Sequence, residues 1–123
     1  MFFSVVIPTY NRYKILADTI NGIMKQSIDR SDYEVIVIDD GSKDKTRQLI
    51  RKFQWIYPNL RYQYQKNQGQ GIARNNGIAL AKGKIIVLIG DDIIPTYDFL
   101  YEHQKIHYLH PLENEACLGF TAW

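Results

Sequence analysis

Short apolar runs closed by turn residues alternate along this chain with stretches of helical periodicity, and that alternation restricts the fold more than any other feature. Phe3 to Ile7 is a continuous run with β-branched Val5, Val6 and Ile7, halted by Pro8. A strand covered on both faces reads this way. Tyr33 to Ile38 repeats the pattern and ends in Asp39-Asp40-Gly41-Ser42. Leu60, Tyr62 and Tyr64 alternate with polar residues, predicting a half-buried strand at a sheet edge. Lys84 to Ile89 has the core composition of the first run and closes on Gly90-Asp91-Asp92.

Helical spacing fills the gaps. Asn11 is placed to cap a helix whose inward face is Ile15, Leu16, Ile20, Ile23 and Met24. Ser42 is placed to cap a second, with Leu49, Ile50 and Phe53 inward and mostly basic residues outward. Asn67-Gln68-Gly69-Gln70-Gly71 opens a third, from about Ile72 to Lys82, with Gly83 as its stop. A fourth begins at Pro95-Thr96 and breaks at His110-Pro111, and Ala116 to Trp123 reads as the start of a further strand. Strand alternating with helix predicts an α/β fold: three layers, α/β/α, around a mainly parallel, Rossmann-like sheet. The 123 residues amount to one domain. Ligands of such sheets bind in the crevice outside the carboxyl ends of the strands, so function is sought in the loops there.

Several classes drop out first. Fifteen basic against 13 acidic side chains, net +2, give no dominant attraction to nucleic acid or anionic lipid. A single cysteine, Cys117, allows no intrachain disulfide and points to a reducing compartment. The apolar runs are too short to cross a bilayer, and Met1-Phe2-Phe3-Ser4 lacks the flank and length of a secretory signal. A soluble, cytoplasmic chain is expected. Gly69-Gln70-Gly71 lacks the third glycine of a dinucleotide fingerprint, and neither a G-x-x-x-x-G-K-[ST] loop nor a G-x-S-x-G elbow is present.

The strand ends carry two acidic pairs, Asp39-Asp40 and Asp91-Asp92. Adjacent carboxylates repel and lose hydration, so they require hydrogen-bond donors or a cation. Oxygen ligands without histidine or cysteine select a hard divalent ion, Mg2+ or Mn2+, commonly shared with substrate phosphates, which makes a diphosphate the natural partner. Arg74, near a helix N-terminus, is placed either to contact phosphate or to pair with Asp91. His103, His107 and His110 have no carboxylate placed as a zincin requires, and Cys117 reads as packed.

At these loops the chain resembles the N-terminal, nucleotide-binding half of a family 2 glycosyltransferase with the GT-A fold. The resemblance rests on Val5-Val6-Ile7-Pro8-Thr9-Tyr10-Asn11-Arg12, on Glu34 to Ser42, and on Asn67-Gln68-Gly69 followed by Ala73-Arg74-Asn75-Asn76-Gly77. It runs from Ser4 to about Pro95 and on toward Trp123. It implies a transferase using a nucleotide-diphospho-sugar donor, uridine favoured, with a saccharide or lipid-linked acceptor. Pro8, Thr9, Tyr10 and Asn11 would belong to the nucleotide site. Asp40, with Asp39 beside it, would accept from the base, and Arg74 would brace the base or the acids. Asp91 would contact ribose or metal, and Asp92 the metal. The resemblance also implies work at the cytoplasmic membrane by peripheral attachment of the full-length protein.

Two departures qualify it. Gly90 stands where the family's metal motif often has a carboxylate. The family inverts the anomeric carbon with a carboxylate base beyond the metal motif, and the sequence stops at Thr121-Ala122-Trp123 before reaching that region. The expectation is a piece with the donor site but not the acceptor site, binding nucleotide, transferring sugar poorly and self-associating through uncovered apolar surface. Two other readings stand beside it. One is a non-catalytic nucleotide-binding module of the same fold. The other is a phosphoacceptor receiver domain, which would need its acidic pair after the first strand, where Pro8-Thr9-Tyr10 lies.

Overall fold

A computed structural model describes residues 1–119 and 121. Strands β1 (Phe3–Thr9), β2 (Tyr33–Asp39), β3 (Leu60–Tyr64) and β4 (Ile85–Leu88) form one sheet in the order β3-β2-β1-β4, all neighbours parallel. Helices α1 (Tyr13–Met24), α2 (Thr46–Ile56), α3 (Gln70–Leu80) and α4 (Phe99–Leu109) alternate with them, and a single 3-10 turn (Arg30–Asp32) precedes β2. The continuous apolar runs became the two central strands, buried along their whole length. The alternating run became the edge strand β3.

Residues on one face of β1 and β2 pack with Leu16, Ile20 and Ile23 of α1, Ile50 of α2 and Leu100 of α4 into the main core. The opposite face, through Ile36 and Ile38, takes Ala73 of α3. Gly77 of α3 lies directly on β1: a methyl group there would overlap the Val6 side chain, so only glycine allows the helix this close. At the amino ends of the strands, buried Glu34 accepts from Ser4, Arg61 and the Lys82 amide, tying the end of α3 to the sheet. This closure fixes the helix and leaves the opposite rim for ligand.

Several local expectations are corrected. Neither Asn11 nor Ser42 caps a helix; Asp44 serves both helix starts, accepting from the Tyr13 amide at 3.3 Å and from the Thr46 amide and hydroxyl at 3.0 and 2.6 Å. Ile15 faces outward, 44% exposed. Helix α3 ends at Leu80, because Gly83 turns in to lie against the Phe3 backbone. Helix α4 starts at Phe99 rather than at Pro95-Thr96, after a turn in which the Phe99 amide reaches the Thr96 carbonyl. β4 is covered on one face only, with Ile86 and Leu88 exposed. Residues 116–119 and Thr121 form no strand; Phe120, Ala122 and Trp123, the rest of that expected element, lie outside the described residues.

Candidate donor-binding site

The parallel register sets Thr9, Asp39 and Tyr64 level with one another at the carboxyl rim. β4 pairs with β1 as far as Leu88 and Val6, after which Gly90-Asp91-Asp92 turns across the end of β1. An open cleft of ≈ 350 Å³ lies there, lined by Pro8, Thr9 and Tyr10, by Asn67, Gly69 and Gln70, and by Asp40 and Asp91. The crevice is where a sheet of this type presents ligands.

Asp40 is buried and fully engaged. Its Oδ1 accepts from Gln65 Nε2 and the Gln68 amide, both at 2.8 Å, and its Oδ2 from the Gly69 amide at 3.0 Å and Asn67 Nδ2 at 3.3 Å. Burial by itself would raise its pKa, but the donors from Gln68, Gln65 and Gly69 outweigh it and hold the carboxyl below the ordinary value. Asp39 lies beneath, Oδ1 on the Ser42 amide at 2.8 Å and Oδ2 on the Tyr62 hydroxyl at 2.6 Å. Gly41 makes the turn that follows the pair with φ +91°, and a side chain there would strike Asn67.

The second pair is arranged differently. Asp91 is 3% exposed; Thr9 Oγ1 donates to its Oδ2 at 2.9 Å and Arg12 to its Oδ1 at 3.1 Å. Thr19 Oγ1 of α1 holds its backbone carbonyl at 2.7 Å. Burial raises its pKa, with the neighbouring Asp92 charge acting the same way, against Thr9 and Arg12. Asp92 is exposed, and among the described residues its carboxylate has only the Arg12 guanidinium near it, at 3.7 Å.

The remaining expected site residues sit around this centre. Tyr10 presents a half-exposed ring at the cleft. Asn11, at φ +52°, accepts from the Lys43 amide and donates its own amide to Ser42 Oγ, joining the β1 loop to the β2 loop rather than lining the cleft. Arg74 is not the partner of Asp91; it reaches Gln70 Oε1 at 3.4 Å, one turn back along α3. Arg12 and Thr19 were not singled out from the sequence. The signal for Arg12 was its place three residues past Thr9, and reading it required knowing that β4 pairs with β1.

A divalent cation fits only as a shared ligand. Among the described residues no three His, Cys, Asp or Glu side chains converge as a protein cage. Asp92 nevertheless offers an exposed carboxylate next to Asp91, loosely paired with Arg12, and a hard ion bound by one or two carboxylates completes its shell with phosphates.

A parallel α/β sheet with acidic strand ends around an open crevice places the chain in the Rossmann-like α/β class. The chain belongs to glycosyl transferase family 2, whose profile matches residues 4–113. It is 42% identical over 118 residues to chondroitin synthase of Escherichia coli, covering 94% of this chain and 17% of that protein. Its fold is the GT-A fold of Staphylococcus aureus TarS, solved as residues 1–349 with UDP-GlcNAc. That match has a TM-score of 0.85 at 26% identity, over 97% of this chain and 37% of that one. The mannosyltransferase PcManGT of Pyrobaculum calidifontis, solved with GDP-Man and Mn2+, matches with a TM-score of 0.66 at 28% identity, over 73% of this chain and 27% of that one. The chain spans a third or less of the length of the first curated relatives it matches. No described helix is long and apolar enough to cross a membrane.

Proposed function

We propose that this chain is the donor-binding part of an inverting, metal-dependent glycosyltransferase that takes its sugar from a UDP-sugar and passes it to a saccharide or lipid-linked hydroxyl. The observation that carries the reading is the asymmetric acidic rim, with Asp91 clamped in the cleft and Asp92 exposed beside it, held only by a loose ion pair to Arg12. TarS bound to UDP-GlcNAc supports the donor class, and PcManGT bound to Mn2+ supports the metal.

Pro8 and Thr9 form one wall for the nucleoside, and the Tyr10 ring stacks on it. An ionised carboxylate is acceptor-only, so Asp40 suits an N–H of the base; the 3.3 Å contact from Asn67 is the one that yields to it. Asn11 and Asp39 hold the two loops that frame this wall, and Arg74 closes the side toward Gln70. Asp91 faces ribose or metal from its fixed position, and Asp92 with the donor diphosphate holds Mg2+ or Mn2+. When bound, that ion neutralises charge developing on the leaving nucleotide. The uncovered face of β4 supports a homodimer, read by light scattering at high concentration.

Calorimetric titration with UDP, with and without Mn2+, tests the donor reading. Binding that strengthens with Mn2+ and loses that gain in Asp92→Ala is the expected result. A folded chain that binds none of UDP, GDP or dTDP with metal overturns it.

A further inference from the structure

Arg12 is the only cation within 4 Å of either Asp91 or Asp92 among the described residues, and it spans both, at 3.1 and 3.7 Å. Its two contacts are unequal. The one to Asp91 is a direct hydrogen bond to a buried carboxylate that has Thr9 on its other oxygen. The one to Asp92 is a looser ion pair between a two-fifths-exposed guanidinium and a half-exposed carboxylate. Losing the first would strand a buried charge, whereas losing the second exchanges a weak surface contact for water.

We propose that Arg12 is a positioning residue that serves as the resident counterion of the acidic pair. It keeps Asp92 from holding a divalent ion by itself and releases it only when the ion arrives with a diphosphate. The inference rests on the donor reading above. The guanidinium stays on Asp91 and gives up Asp92, so the part that moves is the part weakly held. Two negative charges of the diphosphate then offset the repulsion between Arg12 and the ion, which makes entry ordered: metal–nucleotide together, not metal first. A unit charge a few ångströms from a divalent ion in an exposed, water-like setting changes its binding by roughly tenfold.

The test is the affinity of the 123-residue chain for Mn2+ alone, read by the electron paramagnetic resonance signal of free Mn2+, in wild type, Arg12→Gln and Arg12→Lys. Arg12→Gln is expected to bind Mn2+ roughly tenfold more tightly without nucleotide, and Arg12→Lys, which keeps the charge, to stay within about twofold of wild type. Adding Asp92→Asn to Arg12→Gln is expected to erase the gain. UDP should strengthen Mn2+ binding less in Arg12→Gln than in wild type. Unchanged or weaker Mn2+ binding in folded Arg12→Gln overturns the inference, as does a gain that survives Asp92→Asn. If Arg12→Gln unfolds, Arg12→Met, which keeps the apolar stem and removes the charge, decides: Mn2+ binding tightened severalfold supports the inference, and binding near wild type overturns it. Calorimetry of UDP with Mn2+ on wild type separates the two ideas. Intact UDP binding with no Arg12 effect removes only this inference, whereas absent UDP binding with a tightened Arg12→Gln removes the donor reading.

Discussion

The two Asp-Asp pairs come at the end of β2 and after β4, the strands on either side of β1, on the same rim, yet the fold treats them in opposite ways. Asp39 and Asp40 are buried and saturated by neutral donors, two of them backbone amides of the loop before α3. Asp91 and Asp92 share one guanidinium, and Asp92 has no hydrogen-bond donor of its own among the described residues. The first pair spends its charge on building the loop. The second keeps negative potential at the cleft mouth, where a bound ligand can use it. Identical dipeptides are thus held in different ways according to how many N–H groups the neighbouring chain supplies.

Removing the carboxylate that does the building should give the largest effect. Asp40→Ala leaves the Gln68 and Gly69 amides and the Gln65 side-chain amide without their acceptor, while Asn67 keeps the Asp40 backbone carbonyl. It is expected to cost about 3 kcal/mol in urea unfolding. Asp92→Ala, by contrast, should change stability by less than about 0.5 kcal/mol, since it removes only an exposed ion pair. Equal losses in the two variants would break the comparison.

Acid titration sharpens it next, because the two pairs predict slopes of opposite sign. Asp40 has a folded pKa below the ordinary 3.8, so the native state binds fewer protons. Its contribution is present above 3.8 and is lost as pH falls through the lower folded value. Asp91 has a folded pKa above 3.8, so in the window just above 3.8 the native state binds more protons, and stability rises as pH falls through it. Unfolding free energy measured against pH should therefore show wild type gaining on Asp91→Asn as pH drops toward 4. Wild type should lose ground to Asp40→Asn only below 3.8. Parallel difference curves would show that both pairs are handled alike.

The layers and the two central strands were legible because burial on both faces requires unbroken apolar runs, and Val5 to Ile7 and Val35 to Ile38 have them. The acidic loops were legible because strands end at turn residues whatever their neighbours are. Pairing partners were not. Arg74 and Arg12 both stand near the rim in sequence, and only the β1–β4 adjacency, a non-local choice, puts Arg12 beside Asp91. The helix starts misled for a related reason: Asn11 and Ser42 have the right chemistry, but the two loops meet and bond each other, leaving Asp44 to cap both helices. Ile86 and Leu88 read as core because composition records apolarity, not which face a neighbour covers.

A loss smaller than that of Asp40→Ala concerns the other member of the first pair. Tyr62 Oη donates to Asp39 Oδ2 at 2.6 Å from the edge strand, and burial, followed by that bond, pushes the phenol up to about 12. Tyr62→Phe leaves Asp39 on the Ser42 amide alone, an expected loss of about 1 kcal/mol at neutral pH. The phenol also leaves a signature in alkali. Between its ordinary value of 10 and about 12 the native state holds a proton that the unfolded chain gives up, so wild-type stability falls with rising pH across that window. Subtracting the Tyr62→Phe curve removes the other tyrosines and should leave the 1 kcal/mol advantage shrinking from pH 10 upward. A constant difference through pH 12 would mean that Tyr62 does not anchor Asp39, and that the first pair depends on the loop amides alone.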